Sequence, residues 1–201
     1  PGAHQRELRR EFGWAHITSG GTVANLEALW VARNVRYFPL AAREAARKAG
    51  VTLTVKRPGE SRARPITTLD ELACLTLKPN EATFLLPRFI EALRQQTGVE
   101  GAEAAARAWK LLGASGLAIT GNGTAALFAR FPPVIFAAGT AHYSVVKAAD
   151  VLGIGRENVV LVDVDRAFRL EIPDLERKLA RALEEGKLPL AVVAIAGTTE
   201  E

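Results

Sequence analysis

The chain has 201 residues, of which 48% are hydrophobic, so it is long enough to bury a substantial core, and its formal net charge of +4 is modest. No apolar run reaches the length of a membrane span, and the N-terminal residues lack the pattern of a signal peptide. Because the basic residues also form no ordered, aromatic-interleaved face of the kind that binds nucleic acid, the composition predicts a cytoplasmic globular protein without membrane or nucleic-acid partners.

The first predicted element is a polar, glycine-containing turn over residues 18–22 that opens into a helix over residues 24–36. Gly20 and Gly21 let the backbone approach a ligand closely, and Thr22, as the capping residue, should leave the next amide N–H groups free. Free N–H groups and the positive end of a helix dipole favour a phosphate. The pattern therefore indicates an anion site, although an ordinary capped glycine turn accounts for the same residues.

The stretch that follows predicts several short elements and no chemistry. The first helix should end before Pro39, and a second, alanine-rich helix over residues 40–49 should close at Gly50. Cys74 is the only cysteine, which excludes an internal disulfide, and we interpret it as a small buried hydrophobic residue. The remaining predictions up to residue 115 are a strand over 51–55, a loop over 58–65, and helices over 69–77, 81–96 and 103–112.

The last third of the chain predicts strands that alternate with helices. The Gly121–Thr124 segment is interpreted as a tight turn, because it lacks the third glycine of a dinucleotide-binding motif. The helix over 173–185 carries Leu175, Leu179 and Leu183 on one stripe, which should face the core. Connections of this length imply parallel pairing with right-handed crossovers, so the fold class is α/β. The predicted segments are strands over 133–138, 158–164 and 190–196 and helices over 145–152 and 173–185.

Polar residues follow the ends of two of these strands. In an open parallel sheet ligands collect beyond the carboxyl ends of the strands, and His142 and Thr198 should both project there. If the Gly20–Thr22 turn faces the same edge, a phosphate site, an aromatic ring and a hydroxyl line one cleft. A histidine satisfied by nearby backbone is the alternative for His142, and Lys147 is better explained as a solvated helix lysine than as a nucleophile. No spacing of His, Cys and Asp suggests a metal site.

Four segments in order resemble the group II pyridoxal-phosphate-dependent amino-acid decarboxylases, the relatives of the glutamate, aromatic-amino-acid and tyrosine decarboxylases. They are the glycine turn with its helix (18–33), the histidine segment (142–155), the strand and helix start at 158–160 and 172–173, and the strand-end threonine segment (196–199). The resemblance covers about residues 13–38 and 130–201. It fails across about 39–129, where we expect a subgroup-specific insertion around 51–115.

The resemblance implies a fold-type-I, aminotransferase-like large domain: a mostly parallel sheet flanked by helices, incomplete in this chain. It implies pyridoxal 5'-phosphate as cofactor, with its phosphate held by Gly20, Gly21 and Thr22. His142 would be the catalytic residue and would stack on the pyridine ring, while Thr198 would approach the cofactor or the substrate carboxylate. It further implies a homodimer, and a remaining C-terminal part of the polypeptide that supplies an aspartate and the Schiff-base lysine.

The activity implied by the resemblance is decarboxylation of an L-amino acid to the corresponding amine and carbon dioxide, with the cofactor as electron sink. The alternatives are a sphingosine-phosphate-lyase-like lyase or an aminotransferase of the same fold, and a non-catalytic phosphate- or nucleotide-binding module. The chain starts with Pro1, contains no methionine and stops just beyond a strand-like run. These ends lead us to expect a piece of a longer polypeptide.

Overall fold

The computed structural model describes residues 15–99 and 101–195. The helices are α1 (Gly21–Ala49), α2 (Glu71–Leu75), α3 (Pro79–Thr83), α4 (Leu85–Thr97), α5 (Gly101–Ala114), α6 (Ile119–Asn122), α7 (Ala125–Arg130), α8 (Ser144–Val151) and α9 (Ile172–Glu184). The strands are β1 (Thr54–Val55), β2 (Arg64–Pro65), β3 (Pro133–Ala138), β4 (Val159–Val162) and β5 (Leu188–Val193). Among the helices of this described part, none is long and apolar enough to cross a membrane.

A three-stranded parallel sheet forms the centre of the second half, in the order β4-β3-β5. All six residues of β3 are buried, because helices cover both faces of the sheet. Alternate residues face opposite sides: Val134 and Phe136 belong to the cluster under α9, whereas Ile135 and Ala137 pack towards α1 and α8. The predicted α/β class and the parallel pairing are confirmed.

A second core surrounds the C-terminal half of α1. Tyr37, Leu40 and Ala45 of this helix pack with the buried faces of α4 and α5, represented by Phe89 and Leu112. The short antiparallel pair of β1 and β2 joins the same core. The segment without recognisable chemistry is therefore a packed part of the fold, and α1 is common to both cores.

The predicted break before Pro39 is wrong, because α1 runs without interruption through 29 residues and contains that proline. A proline inside a helix removes one hydrogen bond and costs about 3 kcal/mol in isolation. Here the residues around it are buried, with Tyr37 and Leu40 almost wholly inaccessible. Tertiary burial of this helix face outweighs the local penalty. The predicted cap at Gly50 is confirmed, with a left-handed φ of 67°.

Other boundaries differ from the sequence prediction in length. Val51, Leu53 and Val55 are buried in alternation as predicted, but only two residues, Thr54 and Val55, pair as a strand. The strand predicted over 158–164 is limited to Val159–Val162. In α9, Leu183 is 60% exposed, so the predicted leucine stripe leaves the core before the end of the helix.

Candidate functional site

The glycine turn ends at the N-terminus of α1, with Gly20 as the capping residue. Thr22 was expected to cap the helix, but it lies inside it as the second residue, and no side chain caps this end. The Gly20 carbonyl accepts hydrogen bonds from the amides of Val23 at 3.1 Å and Ala24 at 3.2 Å. Within residues 15–99 and 101–195, no acceptor takes the N–H groups of Gly21 and Thr22. The two amides expected to bind an anion are thus available.

The backbone around these amides is open. Gly20 adopts a φ of +107°, which L side chains rarely adopt. A Cβ placed on Gly20 or Gly21 would meet no heavy atom within 4 Å. A ligand oxygen can therefore approach the first turn of a 29-residue helix, whose dipole favours negative charge at this end.

His142 lies in the loop between β3 and α8, four residues after the strand ends. Its Nδ1 atom is 2.9 Å from the Ser144 hydroxyl and accepts a hydrogen bond of 3.2 Å from the Ser144 backbone amide. The imidazole itself is exposed and contacts the ring of Tyr143, with 4.2 Å between the ring centroids. Its Nδ1 edge is thus held by backbone and side chain while the ring stays accessible.

A hydrogen bond joins the histidine loop to the glycine-turn helix. The side-chain amide of Asn25, in the second turn of α1, donates to the Ser144 hydroxyl at 2.8 Å. A second contact lies about two turns further along the helix, where the Arg33 guanidinium donates to the Leu152 carbonyl at 3.0 Å. Between them Leu29 packs against α8 in a shared hydrophobic cluster. The structure therefore brings the Gly20–Thr22 turn and the His142 segment onto one pair of packed helices.

Of the two remaining candidates, Lys147 lies within the described residues and Thr198 does not. Lys147 is exposed on α8, with its Nζ 5.4 Å from the centre of the Tyr143 ring, as expected of a solvated helix lysine. Thr198 lies outside the described residues; β5, the strand that leads towards it, ends at Val193 next to the carboxyl end of β3. Within the described part of the chain, no cluster of His, Cys, Asp and Glu could hold a metal ion.

Sequence reasoning missed Asn25 and Ser144. Both are ordinary helix-start residues in the sequence, and their partnership spans 119 positions along the chain. A signal was present in the position of Ser144, two residues after His142, where a serine can hydrogen-bond back to a preceding side chain. The link to Asn25 depends on how α1 packs against α8, which no local pattern specifies.

The described architecture is that of an α/β protein with a candidate anion site at a helix N-terminus beside the carboxyl edge of a parallel sheet. Residues 121–201 match the family model described as the pyridoxal-dependent decarboxylase conserved domain. The resemblance of the sequence segments to the group II pyridoxal-phosphate-dependent amino-acid decarboxylases is confirmed by this match and by the similarity of the chain to named amino-acid decarboxylases.

Named relatives cover this chain to very different extents. An L-tyrosine decarboxylase of Enterococcus faecalis is 32% identical over 190 residues, which are 94% of this chain and 24% of the relative. An aspartate 1-decarboxylase of Aliivibrio fischeri is 50% identical over 66 residues, which are 33% of this chain and 12% of the relative. The chain thus spans about a quarter of the length of the tyrosine decarboxylases it matches.

A solved structure, the crystal structure of mouse CSAD, is 21% identical to this chain. The match covers 89% of this chain and 31% of the CSAD chain, with a TM-score of 0.38.

Proposed function

We propose that the polypeptide containing this chain is a pyridoxal-phosphate-dependent carboxy-lyase that converts an L-amino acid into the corresponding amine and carbon dioxide. The observation that carries the proposal is the hydrogen bond from Asn25 to Ser144, because it joins the helix of the glycine turn to the His142 loop. A phosphate-type site and an accessible aromatic ring are then parts of one unit. The similarity of the chain to the pyridoxal-dependent decarboxylase domain and to named decarboxylases supports the same activity.

The residues present fit pyridoxal 5'-phosphate. The cofactor needs donors for a phosphate, and the amides of Gly21 and Thr22 have no acceptor within the described residues. It also needs space beside the backbone, and the Cβ positions of Gly20 and Gly21 are open. Gly20, Gly21 and Thr22 would hold the phosphate and the exposed His142 imidazole would face the pyridine ring. Thr198 would approach the cofactor or the substrate carboxylate.

When bound, the cofactor supplies an electron sink for the electron pair that the departing carboxylate leaves at Cα. The part of this chain in the chemistry is orientation. The amides at the start of α1 would fix the phosphate end of the cofactor, and the His142 ring, held at Nδ1 by Ser144, would limit how the cofactor can tilt. Fixing the plane of the ring selects which Cα bond is aligned for cleavage.

We further propose that the remaining C-terminal part of the polypeptide supplies an aspartate and the Schiff-base lysine, and that the complete protein is a cytoplasmic homodimer. The short coverage of the relatives, about a quarter of the tyrosine decarboxylases, supports a larger whole. The insertion around residues 51–115 stays a proposal as well. Its support is that the tyrosine decarboxylase match extends over 190 residues, whereas the aspartate 1-decarboxylase match is limited to 66.

L-Tyrosine is the first substrate to test. Relatives named L-tyrosine decarboxylase match 94 to 98% of the chain, including the stretch for which the sequence suggests no chemistry. Relatives named for acidic amino acids or for diaminobutyrate match about a third of it. Because the tyrosine decarboxylases match nearly the whole chain and the acidic-amino-acid decarboxylases only a third of it, an aromatic substrate is favoured over an acidic one.

The test uses the full-length polypeptide, purified with pyridoxal phosphate. We expect a yellow protein whose visible absorption is lost on borohydride reduction, and release of carbon dioxide with an amine from L-tyrosine or another L-amino acid. Consumption of a keto acid without release of carbon dioxide would show that the protein is an aminotransferase instead. Cleavage of the substrate to an aldehyde would show that it is a lyase of the other kind. A protein that binds phosphate but takes up no chromophore would be a binding module.

A further inference from the structure

We propose that Asn25 and Ser144 are positioning residues that fix His142 as the tautomer with its proton on Nε2 and hold the imidazole in one orientation. The role of this arrangement in catalysis rests on the proposed function, but the arrangement itself does not. Both residues act through the histidine.

The direction of the hydrogen bonds follows from the donors. A backbone N–H can only donate, so the contact from the Ser144 amide to Nδ1 makes that nitrogen an acceptor. An accepting ring nitrogen carries no proton, which places the proton of a neutral imidazole on Nε2. The Ser144 hydroxyl, 2.9 Å from the same nitrogen, is then the second donor, and because its contact is shorter than the 3.2 Å contact of the amide, it is the stronger of the two that hold the tautomer.

Asn25 sets the orientation of that hydroxyl. Its amide donates to Ser144 Oγ at 2.8 Å and so occupies a lone pair of that oxygen. The single hydroxyl proton is left for Nδ1. In this series of hydrogen bonds, the donation from Asn25 therefore determines which way the Ser144 hydroxyl donates, and that in turn determines which nitrogen of His142 is the acceptor.

Burial makes the arrangement costly to disturb. Ser144 is completely buried at the interface of α1 and α8, and leaving a buried hydroxyl without a hydrogen-bond partner destabilises the folded state. The link also begins on α1, four residues after Gly21, so the candidate phosphate site and the imidazole shift together. A ring orientation that depended on surface contacts alone would lack this coupling.

The sharpest variant is Asn25→Asp, which keeps the size of the side chain and reverses the polarity of its contact. A carboxylate accepts the Ser144 hydroxyl proton, so Oγ then presents a lone pair to Nδ1 and disfavours an acceptor there. Ser144→Ala removes the hydroxyl, and Ser144→Thr restores one if the alanine variant folds poorly. Asn158→Ala is the matched control, because Asn158 donates to the Ile154 carbonyl near the end of α8 and takes no part in the link.

The primary readout is the tautomer of His142, measured from nitrogen-15 correlation spectra of the full-length polypeptide without cofactor. We expect one Nε2-protonated form in the natural protein and in Asn158→Ala. A second, Nδ1-protonated form should appear in Asn25→Asp, and its share should fall again when the natural residue is restored. An unchanged single tautomer in both Asn25→Asp and Ser144→Ala would overturn the inference.

The second readout is kinetic and spectroscopic. In the loaded enzyme, Asn25→Asp should lower kcat by about tenfold with little change in KM, and should alter the visible circular dichroism of the bound chromophore. Loss of the tautomer preference in a protein that takes up no cofactor would leave the positioning role intact and refute the proposed function. A normal kcat together with an altered tautomer would refute the catalytic consequence.

Discussion

At Gly20 the backbone conformation, with φ at +107°, is one that a side chain makes costly. We expect Gly20→Ala to destabilise the protein by about 1 to 3 kcal/mol, because the strain persists although the added Cβ has free space. Urea denaturation of the full-length polypeptide measures this. Gly21→Ala is the control: it is helical and equally open, and its effect should stay within about 0.5 kcal/mol. Equal losses in the two variants would contradict the assignment of strain to Gly20.

Asp174 illustrates a residue whose charge stabilises the start of α9. Its carboxylate accepts from the Asp163 backbone amide at 2.8 Å and from Lys178 at 2.6 Å, and it also pairs with Arg177. The hydrogen bond from the Asp163 amide, followed by that from Lys178, holds the pKa of Asp174 below its ordinary value of 3.8. The folded state therefore binds fewer protons than the unfolded state near this pH.

The lowered pKa of Asp174 predicts how the stability of an Asp174→Asn variant depends on pH. The stabilisation by the charge is complete above pH 3.8 and disappears as the pH falls through the lower folded pKa. Urea midpoints of the natural protein and the variant should differ at about pH 6 and converge at strongly acidic pH. Glu176→Gln, a charge change at an exposed position of the same helix, is the control. A gap that persisted below the folded pKa would contradict the prediction.

Tyr37 connects the middle of α1 with the segment before β3. Its hydroxyl donates to the Phe131 carbonyl, and the side chain is fully buried. Burial also raises the pKa of this phenol, so it stays protonated and remains a donor. Tyr37→Phe should cost about 1 kcal/mol, measured by thermal unfolding. Tyr143→Phe alters a 61% exposed ring and should leave the unfolding temperature nearly unchanged; a loss at both positions would argue against the buried hydrogen bond.

The elements also show where sequence reasoning succeeds. The buried run at 133–138 predicted β3 with correct bounds, because continuous aliphatic residues between breakers have one stable arrangement in an α/β fold. Pro39 predicted a helix end that is absent, because burial of Tyr37 and Leu40 outweighs the lost hydrogen bond. The glycine turn was located correctly, but Thr22 was misplaced as its cap. Whether a helix begins one or two residues earlier depends on contacts that the local pattern does not encode.

At the scale of the molecule, two hydrophobic cores share α1. One contains the sheet with α8, and the other contains Phe89 of α4 with the C-terminal half of α1. Phe89→Ala should cost about 3 to 5 kcal/mol, because the side chain is completely buried. Since the helix is common to both, hydrogen exchange should accelerate in β3 as well as in α4. Phe84→Ala, at a 57% exposed position, is the control, and faster exchange confined to α4 would show independent units.

The candidate site could be predicted only in part. Gly20, Gly21 and His142 became candidates from local signals alone, namely two adjacent glycines before a helix and a histidine after a strand. The contacts that join them were not, because Asn25 and Ser144 meet only after α1 packs on α8. The packed stretch around residues 51–115 carried no motif, yet its hydrophobic positions were enough to predict most of its helices.

The uninterrupted α1 has a consequence for how such a protein changes over time. A helix of 29 residues is roughly 43 Å long. The glycine turn lies at its N-terminus, and the second core packs around its C-terminal half. Because a packed helix moves as a rigid unit, substitutions in the second core shift the glycine turn at the other end of α1 and alter its fit to a ligand. Selection can thereby retune the chemistry of this molecule through substitutions that lie far from any reacting atom.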